Sequence, residues 1–377
     1  MSRLKLIRTA TIPMSLDIFC KGILQELSTE YEVIAVSSPG KELDDIAARE
    51  RVRTIGVPMK RQISLWHDFI SLCRLVRVFR QERPTIVHSM TPKAGLLSML
   101  AAWLTKVPVR IHTFTGLVFP TAKGLKQRVL ILTDRMTAGC ATHVIPEGQG
   151  VMNDLYAYHI TQKPMHVLGY GNVRGVDLSY FQPTTGKKSN AAYTFLFVGR
   201  IVTDKGVNEL IEAFVNHHKQ YPSSRLIMVG PYEYPQKGLT AQTVEQIQHH
   251  PAITHYDFTK DVRPYYATAD CLILPSYREG FPNVVLEAGA MELAAIVTDI
   301  NGSREIITDK QNGLIVPTHS AINLERAMAY MQAHPKSSIQ MGKMARKNIE
   351  ERFEQSFVRS CLYNYYHEIL KESCYTK

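Results

Sequence analysis

Residues 194–214 read TFLFVGRIVTDKGVNELIEAF. A run rich in aromatic and β-branched residues ends at Val198, Gly199 and Arg200 make a loop, and Lys205-Gly206 opens an amphipathic stretch. This is the strand, loop and helix of an α/β unit. Onward from it the same rhythm recurs, with strands expected near Arg225–Val229, Thr254–Tyr256, Cys271–Pro275, Ala295–Thr298 and Gly313–Val316. Backward, an earlier set is expected near Lys5–Arg8, Tyr31–Ser37, Arg53–Ile55, Thr85–Ser89, Arg110–Phe114, His143–Pro146 and Met165–Leu168. Short strands alternating with longer amphipathic stretches predict parallel sheets with crossover helices. The turn-rich joint Gly169–Asn190 (GYGNVRGVD, then QPTTGKKSN) separates the two sets, and 377 residues exceed what one core usually organises. The expectation is two doubly wound, Rossmann-like domains facing a central cleft: residues 1–175, a linker 176–190, residues 191–355, and a C-terminal helix 356–377 that packs back toward the first domain.

Several classes are set aside on composition. MSRLKLIRTATIPM lacks the apolar core and small-residue cleavage site of a signal peptide, and the longest nearly apolar stretch, Ala94–Leu104, is too short to span a bilayer. Six scattered cysteines show no zinc spacing and read as reduced, mostly buried thiols, so a cytoplasmic protein, peripheral at most on the inner membrane face, is expected. The net charge of +10 is lopsided: residues 1–180 hold 23 Lys/Arg against 14 Asp/Glu, residues 181–377 hold 21 against 20. Such a field suits nucleic acid, anionic lipid or a phosphorylated acceptor, or serves solubility alone.

Leu274–Ala288, LPSYREGFPNVVLEA, is the sharpest constellation. A strand ends, a loop follows and a helix begins at Pro282-Asn283, so the N–H groups of Asn283, Val284 and Val285 are expected to face an anion or a polar sugar group. Glu279 and Glu287, eight residues apart, have the residue types of a glycosidase acid/base pair. Because both lie on one local element, hydrogen-bond acceptance suits them better, Glu287 from ribose hydroxyls and Glu279 from the transferred sugar. Arg200 and Lys205 suit a diphosphate, the first as a planar fork and the second as a point charge. No Asp-x-Asp pair occurs anywhere in the chain, so these cations and a helix end are expected to replace a divalent metal.

In the first half, RIHTFTGLVFP (residues 110–120) runs from a strand into a glycine loop. His112 is either a general acid/base or a packed strand residue, and Thr115 and Gly116 lie where backbone can approach a ligand. His88 in IVHSMTPKAG ends another strand and can meet a substrate hydroxyl, and Lys93 an acceptor phosphate; Ser15 is grouped with them as acceptor-binding. Lys60–Arg83 reads as a basic amphipathic surface for anionic lipid or as an ordinary crossover helix.

At these motifs the sequence resembles family 4 of the retaining glycosyltransferases, of the bacterial capsule, O-antigen and lipid-linked oligosaccharide type. The resemblance spans essentially the whole chain and implies the GT-B fold. It implies that Gly199, Arg200 and Lys205 hold the donor diphosphate, that Glu279 and Glu287 meet sugar and ribose, and that Gly280, Phe281, Pro282, Asn283 and Val284 form the donor loop. NGSREII (residues 301–307), NGLIV (312–316), RGVDLSYF (174–181) and HSMTPKAGLLSMLAA (88–102) are further family-like segments. Many relatives carry His-Gly where Thr115-Gly116 stands here. The implied partners are a UDP-sugar donor, an undecaprenyl-diphosphate-linked saccharide and an anionic membrane surface, not nucleic acid, with no cofactor or metal. Retention is then ascribed to same-face attack, the departing phosphate taking the acceptor's proton. Two other readings stay open: a UDP-N-acetylglucosamine 2-epimerase on the same fold, and a non-catalytic binder of nucleotide-sugar or polysaccharide.

Overall fold

In the computed structural model, which describes residues 3–60, 62, 64–183, 192–233 and 238–375, the chain divides into two compact units. The first comprises residues 1–175 and 356–377, the second residues 176–355. Arg61 and most of the expected linker, residues 184–190, lie outside the described residues.

The first unit holds six parallel strands: Lys5–Thr9 (β1), Glu32–Ser37 (β2), Arg53–Gly56 (β3), Ile86–Met90 (β4), Val109–Phe114 (β5) and His143–Pro146 (β6). Their order in the sheet is β3-β2-β1-β4-β5-β6. The second unit repeats the design with Thr194–Val198 (β7), Arg225–Val229 (β8), Ile253–Tyr256 (β9), Cys271–Leu274 (β10), Ala294–Thr298 (β11) and Gly313–Val316 (β12). Here the order is β12-β11-β10-β7-β8-β9. Both are doubly wound sheets in which the direction of strand addition reverses once, between β1 and β4 and between β7 and β10. At such a switch point the loops beyond the strand carboxyl ends diverge and leave a crevice.

The inner strands of the second unit are mostly apolar because helices cover both faces, whereas those of the first also bury Arg8, His88 and His112. Phe195, Phe197, Ile273 and Ile296 form one core of the second unit with Leu210 and Phe214 of the helix Val207–Gln220, while Leu196, Leu272 and Val297 face the opposite layer. The first unit is built likewise, and residues from the far end of the chain complete it. Leu362, Tyr366 and Ile369 of the C-terminal helix Gln355–Tyr375 pack against Leu6, Leu24 and Val33.

Two expectations need correcting. Met165–Leu168 forms no strand: Met165 joins one core of the first unit and Leu168 packs against the other, so the apolar pattern there reflects side-chain burial in irregular chain rather than pairing. Nor are the cysteines mostly buried. All five described ones are free, but only Cys20 and Cys271 are buried, and Cys73 is exposed on the outward side of the helix Leu65–Glu82.

Candidate functional site

The switch point of the second unit gathers the residues that the sequence singled out there. β7 ends at Val198, and the chain passes through Gly199 and Arg200 into a single 3-10 turn, Thr203–Lys205, before the helix starts at Val207. Gly206 between them adopts φ 69°, and a Cβ there would sit 2.0 Å from the Pro275 carbonyl oxygen, so only glycine lets this loop lie against the one after β10. Further bonds hold the two loops together. Tyr277 N–H donates to the Asp204 carbonyl at 2.9 Å, and Arg278 Nη2 meets Asp204 Oδ2 at 2.9 Å.

That arrangement brings Lys205 to Glu279. Lys205 Nζ donates to Glu279 Oε1, and Ser276 Oγ donates to the same oxygen at 2.7 Å. The lysine and glutamate side chains are 20% and 15% exposed, so the pair is sheltered but open to a ligand. The two groups assigned separately to phosphate and to sugar are therefore direct partners. Arg200, half exposed, pairs with Glu233.

The helix after β10 runs Asn283–Ala290, with Pro282 as its N-cap rather than in its first turn. The expectation that Asn283, Val284 and Val285 all turn their N–H groups outward fails at Val285, whose N–H is taken by the Pro282 carbonyl at 3.0 Å. The first turn is tightened, as helix starts often are. Glu287, one turn further on, is 8% exposed, and Tyr266 Oη donates to its Oε2 at 3.2 Å. Phe281 is buried against Phe353 and anchors the loop that Gly280 begins. Ser276, Tyr266 and Tyr277 escaped the sequence reading because nothing in their spacing marks a hydroxyl that orients a carboxylate.

The first unit treats its candidates differently. His88 does not face a ligand: Tyr366 Oη lies 2.6 Å and Arg8 Nη1 3.1 Å from its Nδ1, and Thr113 Oγ1 lies 2.7 Å from its Nε2. Nδ1 therefore accepts, and Nε2–H donates to Thr113. Burial, and then the adjacent Arg8 cation, push its pKa well below the usual imidazole value. Its expected role at a substrate hydroxyl gives way to an internal one, because both ring nitrogens already have protein partners. Lys93 is likewise engaged, with Asp68 at 2.7 Å and with the Gln62 carbonyl. A phosphate there would have to displace that carboxylate. Ser15 is half-buried in the helix Pro13–Cys20, and its N–H donates to the Ile12 carbonyl at 3.0 Å.

His112 is 2% exposed, with Ser89 Oγ 2.8 Å from its Nδ1 and its ring edge-on to Phe114. Burial pushes its pKa down to about 3, so it is a neutral hydrogen-bonding group at physiological pH rather than a store of protons. It nevertheless lines a cavity, together with Thr115 and Gly116.

Comparison with known proteins bears on the family and the fold. Residues 23–171 match the model of the glycosyl transferase 4-like domain, and residues 182–348 match that of the glycosyl transferases group 1. The capsular polysaccharide biosynthesis glycosyltransferase CapM of Staphylococcus aureus is 29% identical over 382 residues, 99% of each chain. The UDP-Gal:alpha-D-GlcNAc-diphosphoundecaprenol alpha-1,3-galactosyltransferase of Escherichia coli is 27% identical over 285 residues, 71% of each. Among solved structures, HepE of Anabaena in complex with UDP-glucose superposes with a TM-score of 0.82 at 13% identity, covering 97% of this chain and all of that one. A glycosyltransferase of Rickettsia africae gives 0.78 at 19% identity, over 98% of this chain and 100% of its own. With the two domain models side by side along it and this fold beneath them, the chain belongs to the GT-B glycosyltransferases of the capsule and O-antigen type.

Proposed function

We propose that the protein transfers a sugar from a UDP-sugar to a lipid-linked saccharide with retention of anomeric configuration, and without a divalent metal. The observation that carries this reading is the Lys205–Glu279 pair, fixed at the β7/β10 switch point by the contact of Gly206 with Pro275. Lys205 and Arg200 would meet the diphosphate, whose charge grows as the bond from the sugar's C1 to phosphate oxygen breaks. The acceptor oxygen would bond to C1 on the same face, and its proton would pass to the departing phosphate. Glu287, steadied by Tyr266, would accept from ribose hydroxyls, and Glu279 from the transferred sugar.

A UDP-sugar and a diphosphoundecaprenol-linked acceptor are named for the Escherichia coli relative, and UDP-glucose for the HepE complex. They support the choice of substrates here. An anionic membrane surface is proposed from the first unit. Leu125, Val129, Leu132 and Met136 are exposed at i, i+4, i+7 and i+11 along the helix Gly124–Cys140, beside exposed Lys123, Lys126 and Arg128. Leu65 and Trp66, 84% and 71% exposed, begin the helix Leu65–Glu82. The helices Leu65–Glu82, Pro92–Leu104 and Gly124–Cys140 pack side by side, so an apolar stripe edged with cations suits lipid headgroups. Among the described residues no helix is long and apolar enough to cross a membrane.

The test is incubation with UDP-, GDP- and TDP-sugars, with and without bacterial lipid extract, in chelator or in manganese, with product anomers read by NMR. An α-linked, lipid-extractable product formed from a UDP-α-sugar in chelator is expected. A free epimerised sugar, an inverted product or a strict requirement for manganese would each overturn the corresponding part.

A further inference from the structure

Beyond the carboxyl ends of β4 and β5 lies a cavity of about 20 Å³, room for one water-sized oxygen. Thr91, His112, Thr113, Thr115 and Asp134 supply its polar wall, and among the described residues no Lys or Arg lines it. Asp134 comes from the helix Gly124–Cys140 and has no hydrogen-bond or ion-pair partner among the described residues. His112, already bonded through Nδ1, has no partner at Nε2 among the described residues; the residue is 98% buried, but Nε2 itself keeps accessible surface. Both groups open onto the cavity rather than being sealed in packing, so a small hydrogen-bonding atom inside it reaches each of them.

The surrounding structure is shaped to allow that. A Cβ on Gly95 would meet His112 Cε1 at 2.3 Å, so a glycine in the facing helix Pro92–Leu104 leaves the space in which the ring lies. Thr91 holds φ 68° and ψ 141°, a strained backbone for a β-branched residue, and its Oγ1 lies 2.9 Å from Thr11 Oγ1 across the β1/β4 switch point. Strain, an orphan carboxylate and an orphan imidazole nitrogen thus meet at one small space.

We infer that this cavity is a single-hydroxyl subsite: one hydroxyl of a sugar ring enters it, donates to Asp134 and accepts from His112 Nε2–H. Three observations select a neutral hydroxyl over an anion or an apolar group. The described wall carries a carboxylate and no cation, which disfavours phosphate. The two unpaired groups need one atom that both donates and accepts, which a hydroxyl does. The volume admits one oxygen, so the rest of the ring stays outside. Asp134 is thereby a specificity-determining residue for the presence of that hydroxyl. This inference rests on the glycosyl-transfer reading for its ligand class.

The test uses octyl glycosides of common hexoses and N-acetylhexosamines together with their monodeoxy analogues, and binding is read by saturation-transfer NMR. The native protein is expected to reject one deoxy position by tenfold or more, as sites built around a hydroxyl do. Asp134→Asn should lose that discrimination to within about twofold. Its fold is monitored in parallel by the fluorescence of Trp66 and Trp103, both in this unit. Thr115→Val, which alters the wall but removes neither orphan group, should keep the same deoxy position disfavoured. UDP titration of both proteins reads the donor site separately, so loss of UDP binding would count against the glycosyl-transfer reading and not against this subsite. If the native protein binds no glycoside, or Asp134→Asn rejects the same deoxy position as strongly, the subsite does not exist.

Discussion

Replacing Asp134 by Asn should make the first unit more stable above neutral pH and leave it nearly unchanged in acid. Burial pushes the Asp134 carboxyl up from 3.8 to about 7, with no cation paired to it among the described residues to offset the loss of water. The folded-state pKa is therefore above the unfolded one, and the sign follows. Below about pH 4 the carboxyl is protonated whether the unit is folded or not, and its contribution is complete. As the pH rises through 7 the unfolded chain gains from ionising while the folded one resists, and that contribution is lost. A gap of about three pH units at about 1.4 kcal/mol each sets a ceiling of roughly 4 kcal/mol. The side chain is partly open to the cavity mouth, so water takes up part of this and roughly 2–4 kcal/mol is the expected range. At a urea slope of about 2 kcal/mol per M, that is a midpoint raised by about 1–2 M at pH 8. Both tryptophans, Trp66 and Trp103, lie in the first unit, so intrinsic tryptophan fluorescence reports this unit's unfolding alone. The measurement is a pair of urea titrations of native protein and variant at half-unit steps from pH 4.5 to 8. Curves that stay parallel across the series, or a variant that is the weaker at pH 8, would refute an ionisable group in a poorly solvated cavity.

Other consequences are nearer the reaction. Glu287→Ala should weaken donor binding by tenfold or more in a UDP-sugar titration, since Tyr266 Oη and the ribose would lose a buried acceptor. Lys205→Ala should lower kcat by about 10²-fold while UDP-sugar affinity falls less, because the charge it meets is largest once the leaving group departs; equal losses in both would point to a ground-state role. Gly206→Ala should cost several kcal/mol in the thermal stability of the second unit, its methyl being forced against the Pro275 carbonyl; a Tm within a degree of native would contradict the description of that loop. Leu125→Glu with Leu132→Glu should reduce flotation with vesicles containing phosphatidylglycerol at least fivefold and spare UDP binding.

Most strands were readable as short, largely apolar runs between turn residues, and β7, β8 and β12 stand at the expected residues. Met165–Leu168 carries the same signature without a ladder, since burial alone favours apolar residues wherever a chain crosses a core. At the second switch point, Gly199-Arg200 and Lys205-Gly206 were legible because glycine and a cation at a strand-to-helix loop have few other reasons to be adjacent. Their pairing with the other loop was not, for the Lys205–Glu279 contact spans 74 residues and depends on which strands become neighbours. Val285 was misjudged for a local reason: periodicity sets where a helix starts but not how tightly its first turn is wound. His88 looked available from its place at a strand end, whereas its partners Arg8 and Tyr366 come from 80 residues before it and 278 after it. A lone arginine in KLIRT and a lone acid in GLKQRVLILTDRMTAGC were the visible hints of Arg8 and Asp134.

Tyr366 accepts from Arg8 Nη1 at 2.7 Å and sits fully buried beside Leu6 and Leu24, so residues from the last tenth of the chain close the core begun by the first. During synthesis the helix Gln355–Tyr375 must emerge before that guanidinium can be sealed away from water, while residues 176–355 form an uninterrupted block able to collapse earlier. A product cut short before Ser356 would thus carry an intact second unit beside a first unit lacking Leu362, Tyr366 and Ile369 from its core, and limited proteolysis would open that first unit preferentially.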